Sequence, residues 1–182
     1  MTEIWQLYDE TGKPRAGQGA GKEDVFSQGL LHAAAHVWIW RRSSSGKEVL
    51  LQKRAANKRT WPNLFDISAA GHIDLGEAPL AAAIRETVEE IGHQARPSEF
   101  TFVEVWRMNT KTDSDAIENE FQYLYTYELP KDVELVHDAQ EVASLVWKSL
   151  EDFADQVLTS GQGYVPHGND YYETVIAALR AA

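Results

Sequence analysis

At 182 residues, with 43% hydrophobic and 25% charged side chains, the chain is long enough to bury one sizeable core and too short for two ordinary domains. That balance excludes a disordered or collagen-like chain, and no stretch approaches the ~18 apolar residues of a spanning helix. A net charge of −11 repels phosphate backbones and excludes a general nucleic-acid binder, while zero cysteines exclude disulfides, thiolate metal sites and a cysteine nucleophile.

Residues 3–9 and 31–40 carry the aromatic and β-branched content of strands. The polar run 41–46 then predicts a hairpin turn into a strand over 48–54. A short strand around 65–69 leads to Gly71, and residues 78–92 switch to helical periodicity. Two long β-like runs, 100–107 and 117–127, flank a polar loop and read as antiparallel neighbours. A last strand is expected over 141–147. Two helices close the chain, the first capped by Ser149 with Asp152 and stopping at Gly161, the second capped at Asp170 with Glu173 and burying Tyr172, Val175, Ile176 and Leu179. Interleaved strands and helices predict one α/β domain over 1–182, an α/β/α sandwich around a mixed sheet. Residues 1–5 open neither a basic nor an apolar leader, so the expected location is cytoplasmic with no membrane partner.

The helix over 78–92 carries the chemistry. At ~100° per residue, Leu80, Ile84, Val88 and Ile91 fall on one stripe, expected to face the core. Glu86, Glu89 and Glu90 fall on the opposite side. Carboxylates at i, i+4 and side by side repel with no helical lysine nearby to offset them. Such a face is either solvated or holds a hard divalent cation such as Mg²⁺ or Mn²⁺ through oxygen. Phosphate needs positive partners, and Lys53, Arg54, Lys58 and Arg59 are the densest basic cluster in the chain, a strand end and turn that is otherwise simply solvated.

The spacing Gly71, Glu77, Arg85-Glu86, Glu89-Glu90, Gly92 matches every fixed position of the Nudix box, GX5EX7REUXEEXGU, over residues 71–93. A chance match is on the order of 10⁻⁸ per starting position. Thr87 and His93 depart at two hydrophobic places. With Leu31-His32, Leu50 to Arg54, Lys58, Trp61-Pro62, Asp66 to His72 and Glu118-Asn119-Glu120, most of the chain resembles the isopentenyl-diphosphate-isomerase-like branch of the Nudix superfamily.

That resemblance implies a Nudix-type sandwich and a hydrolase that cleaves a nucleoside diphosphate linked to another moiety, or a related small diphosphate. Glu86, Glu89 and Glu90 would hold Mg²⁺ or Mn²⁺, with the Gly71 carbonyl as a further ligand and Glu118 and Glu120 as supporting metal ligands or base. Glu86 and Glu120 are both candidate general bases, and Arg85 is implied to orient the cluster by pairing with a carboxylate such as Glu77. Arg54 and Lys58 match diphosphate-contacting positions. The isomerases carry a catalytic cysteine before the box glycine, where this chain has Ala70, so an isomerase is disfavoured. His32 and His72 match two isomerase metal histidines or are hydrogen-bonded core residues. Trp61, Trp106 and Tyr123 are candidates to stack on a base or to pack in the core. A non-catalytic binding domain is the remaining alternative, opposed by the intact glutamates. A homodimer stays open, with no interface marked.

Overall fold

The computed structural model describes residues 3–58, 60–111, 117–131, 133–137 and 139–182. Strand β1 (Ile4–Tyr8) pairs with β2 (Pro14–Gly21) in an antiparallel ribbon, followed by the short helix α1 (Lys22–Gln28). The main sheet holds β3 (His32–Ser43), β4 (Gly46–Arg54), β5 (Phe65–Asp66), β6 (Ala69–His72), β7 (Phe100–Lys111), β8 (Ile117–Glu128) and β9 (Val142–Ser149). Its main path runs β5-β4-β3-β8-β7, with β6 also on β3 and β9 on β4. Among the described strand pairs of this sheet, β3 and β8 run parallel and the others antiparallel, which makes the sheet mixed. Helices α2 (Pro79–Ile91), α3 (Leu150–Thr159) and α4 (Asn169–Ala181) complete the fold, with one turn of 3₁₀ helix at Pro97–Glu99.

Alternation along β3 explains the sandwich. Ala33, Ala35, Val37 and Ile39 face a core shared with Ala82, Ala83 and Ile91 of α2. Trp38 and Trp40 face the opposite core, filled by Phe153 and Val157 of α3 and by Tyr171, Tyr172, Val175, Ile176 and Leu179 of α4. The expected α/β/α layering is observed. Each fully buried large side chain contributes roughly 1.5–3 kcal/mol. Two caps differ in kind. Ser149 Oγ accepts from the Asp152 amide at 3.3 Å, as expected. Asp170 instead lies inside the first turn of α4, because Gly168, with φ of 96°, adopts the cap geometry that an aspartate resists. At the other end of α4, Lys47 Nζ donates to the carbonyls of Leu179, Arg180 and Ala182, satisfying orphan acceptors with a cation where the helix dipole is negative.

The α2 stripe is only partly as predicted. Ile91 is buried, Leu80 and Ile84 are partly covered, and Val88 is exposed. Small residues, Ala82 and Ala83, make the close approach to the sheet instead, which rotates Glu86 and Glu90 inward. Thr87, at one departure from the box, is buried with its hydroxyl donating to the Ala83 carbonyl at 2.7 Å. At the other, His93 stacks on Tyr127 with Nε2 2.7 Å from its hydroxyl. Among the described residues no helix is long and apolar enough to cross a membrane.

Candidate active site

The parallel register sets His32 beside Glu120 and His36 beside Leu124. The sheet face that buries Trp38, Trp40 and Leu124 therefore turns polar toward the start of β3 and β8, presenting His32, His36, Glu118, Glu120 and Gln122. Helix α2 and strand β6 close the other side. A cleft of about 550 Å³ results, and Glu86, Glu89, Glu90, Gly71, Glu118 and Glu120 all line it.

Glu86 and Glu90 are buried and Glu89 is exposed. Burial pushes the Glu86 carboxyl up to about 7 against the opposing pull of Arg85. Burial, then the charge of Glu86, pushes Glu90 up to about 8. Glu90 Oε2 accepts from the Ala70 amide at 2.9 Å and from Gln52 Nε2 at 3.1 Å. Gly71 is required sterically, since a Cβ there would lie 2.0 Å from Glu86 Oε1. Arg85 is fully engaged: Nε and Nη2 donate to the two oxygens of Glu77 at 3.0 and 2.9 Å, Nη2 to the His72 carbonyl at 2.9 Å, and Nη1 to Glu86 at 2.5 Å. A guanidinium so occupied positions carboxylates and a backbone strand.

Across the cleft, burial and then the charge of Glu120 push Glu118 up to about 7. Glu120 moves the other way. Burial opposes its charge, but the hydrogen bond and charge of His32, 3.3 Å away, hold it below the ordinary carboxylate range. His32 Nδ1 is 2.9 Å from the Leu30 carbonyl, which can only accept, so Nδ1 carries hydrogen and Nε2 faces Glu120. His72 stacks on Trp5 at 3.5 Å and is lowered to about 3 by burial and by His32. One nitrogen of each histidine and an oxygen of Glu120 lie within 4.8 Å of one another. Buried, mutually repelling carboxylates on one side and a histidine-carboxylate group on the other are donor sets that suit divalent cations.

Of the basic residues, Arg54 and Lys58 line the cleft. Arg54 Nη1 holds Asp66 at 2.8 Å while Nε and Nη2 hold the Thr60 carbonyl. Lys58 pairs with Glu141. Lys53 is a correction: strand alternation turns it away from the face of Gln52 and Arg54, and it does not line the cleft. Arg59 lies outside the described residues. Trp61 lines the cleft, whereas Trp106 meets Tyr171 edge-on at 5.9 Å and Tyr123 packs against the α2-side core.

Sequence reasoning passed over Lys22, His36, Asp66 and His167, which also line the cleft. They stand singly on α1, β3, β5 and the segment before α4, so no spacing ties them together. His36 is buried, and burial, followed by the charge of His167, holds it near 4, while Glu120 and Asp66 pull upward. Below about pH 6.5 the unfolded chain takes a proton on this residue that the folded chain refuses until about pH 4. The stability cost of His36→Gln, read by urea unfolding, is therefore expected to shrink by about 2 kcal/mol between pH 7 and pH 4.5. A pH-independent cost would show that His36 is not buried as the neutral ring.

The glutamate helix, packed on a glycine strand at one edge of this sandwich, defines a class: the family model of the NUDIX domain matches residues 30–166, and the chain belongs to that family as a Nudix hydrolase. It is 27% identical over 203 residues to an uncharacterised Nudix hydrolase of Clostridium acetobutylicum, covering 97% of each chain. It is also 31% identical over 153 residues to isopentenyl-diphosphate Delta-isomerase 2 of Photorhabdus laumondii, covering 82% of this chain and 79% of that one. The fold is shared with the NUDIX domain of Shewanella oneidensis NrtR, solved with ADP ribose, at a TM-score of 0.61 and 15% identity over 96% of this chain and 94% of that one.

Proposed function

We propose that the protein, acting as one domain, is an Mg²⁺- or Mn²⁺-dependent hydrolase that uses water to cleave the diphosphate bond of a nucleoside diphosphate joined to another moiety, or of a related small diphosphate. The observation that carries this reading is the buried pair Glu86 and Glu90, held against Gly71 with Arg54 and Lys58 in the same cleft. Glu86, Glu89, Glu90 and the Gly71 carbonyl would hold the cation, with Glu118 and Glu120 in support. When bound, such a cation neutralises diphosphate oxygens and acidifies water. Glu86 is favoured over Glu120 as acceptor of the water proton. Glu120 Oε1 accepts from Gln122 at 2.7 Å and its Oε2 is flanked by His32 at 3.3 Å and His72 at 3.8 Å, whereas Glu86 gives Oε1 to Arg85 and, among the described residues, its Oε2 has no hydrogen bond. Arg54 and Lys58 bind and orient the diphosphate. An isomerase is disfavoured because Ala70 stands where isomerases place their cysteine, and the Ala70 amide is committed to Glu90.

The test is phosphorus NMR of the purified protein with Mg²⁺ in ¹⁸O-water, against nucleoside diphosphate sugars, dinucleoside polyphosphates and isopentenyl diphosphate. One ¹⁸O per cleaved bond is expected in a phosphate product. Isomerised product with no P–O cleavage would overturn hydrolysis. In the same assay Lys58→Ala should raise KM about tenfold with kcat within about twofold, the loss of one charge-assisted ground-state contact. Equal losses in kcat and kcat/KM would contradict that role.

A further inference from the structure

Arg54 and Lys58 line the same cleft but are held in different ways. Arg54 is locked: Nη1 donates to Asp66 at 2.8 Å, while Nε and Nη2 donate to the Thr60 carbonyl at 3.2 and 3.0 Å. The Asp66 side chain is 5% exposed, so parting the two would strip a buried charge of its arginine, a strongly destabilising change. Lys58 has an exchangeable partner. Its Nζ donates to Glu141 Oε2, in a pair whose side chains are 25% and 49% exposed. Water can solvate the Glu141 carboxylate once it is released, and ion pairs of this kind are weak. The backbone brings the two together. Lys58 stands in the turn that leaves β4, where its amide donates to the Ala55 carbonyl. Glu141 directly precedes β9, the antiparallel neighbour of β4, and its carbonyl accepts from the Ala55 amide at 3.2 Å. Glu141 also lines the cleft, so an anion that reaches Lys58 meets a carboxylate already on it.

We propose that Glu141 is a competitor for the substrate's phosphate: it holds Lys58 before substrate arrives, yields it to the diphosphate, and reclaims it as product leaves. Glu141 thereby weakens every phosphate that uses Lys58, substrate and product alike, by the strength of a rim ion pair, about three- to fivefold. Looser ground-state binding does not slow an enzyme working near saturation, and a carboxylate that recaptures Lys58 hastens product departure. This role rests on the reading of Lys58 as a diphosphate contact, and not on which bond is cleaved or which moiety the diphosphate carries.

Calorimetric titration with Mg²⁺ at ~0.15 M salt tests it, using methylene diphosphonate, whose P–C–P link resists hydrolysis, as substrate probe and inorganic phosphate as product probe. Glu141→Gln and Glu141→Ala are each expected to tighten both probes about three- to fivefold, a gain that loss of a merely structural contact does not produce. In a Lys58→Ala background no ammonium remains to be released. There the same changes should move affinity by less than about twofold, because salt screens the residual repulsion. Unchanged or weaker binding in both Glu141 variants overturns the competitor. An equal gain with and without Lys58 also overturns it, since that gain is plain charge repulsion. Lys58→Ala on its own separates the two readings. Wild-type affinity for the diphosphonate there rejects Lys58 as a phosphate contact and the competitor with it, whereas weakened binding there with no gain from the Glu141 variants rejects the competitor alone.

Discussion

Glu90→Gln is expected to lower kcat by about 10³-fold at saturating Mg²⁺ while the protein melts no lower than wild type. The loss follows from removing one fixed negative charge from the site where phosphate charge must be neutralised. The retained fold follows from geometry. Both donors to Glu90, the Ala70 amide and the Gln52 side chain, address the same oxygen, Oε2. A glutamine carbonyl placed there keeps both bonds, and its amide group takes the place of Oε1. Burial and Glu86 already disfavour the charged carboxylate, so the neutral isostere relieves rather than creates a penalty in the metal-free protein. Steady-state kinetics, Mn²⁺ titration and thermal melting read the three quantities separately. Unchanged activity in the Glu89→Gln, Glu90→Gln double variant would end the metal assignment.

Gly71→Ala should cost about 10²-fold in kcat through one methyl group. Its Cβ would fall 2.0 Å from Oε1, 2.1 Å from Cδ and 2.5 Å from Oε2 of Glu86, so the carboxylate must leave its place and its contact with Arg85. Overpacking of this kind costs about 1–3 kcal/mol of stability. Adding Glu86→Asp withdraws the carboxylate by one methylene. The double variant is expected to regain most of the stability and none of the activity, a non-additive pair in a double-mutant cycle. Wild-type turnover in Gly71→Ala would show that the Glu86 carboxylate does not work from the position it occupies.

Much of this was legible because local chemistry and tertiary context agree. Aromatic and β-branched runs became β3, β7 and β8, and Ser149 capped α3 as its spacing required. Strand β2 escaped notice because Pro14, Gly17, Gly19 and Gly21 carry little strand propensity. It is held by pairing with β1 and by Gln6, whose amide donates to the carbonyls of Arg15 and Gln18. The α2 stripe misled for a related reason: apolar arcs presume that large residues face the core, whereas Ala82 and Ala83 allow the closer approach here. At the site, the box residues share one helix and could be read from spacing. Lys53 fell to strand alternation once β4 was in place. His36, Asp66 and His167 meet only through β3, β5 and a late loop, and nothing in a linear pattern marks that meeting.

Strand β3 has a consequence in time. Residues 32–40 are bonded to 120–128 along their whole length, a sequence separation of 88 residues. During synthesis at ~5–20 residues per second, the apolar segment around Val37, Trp38, Ile39 and Trp40 waits on the order of ten seconds for its parallel neighbour. Strands β4 and β6 can pair one of its edges in that interval, but the edge that β8 will cover stays open on a hydrophobic strand, the kind of segment chaperones shield and aggregates recruit. The cleft, whose two walls meet across this one pairing, assembles late, and the nascent chain is expected to gain ligand affinity only after β8 has left the ribosome.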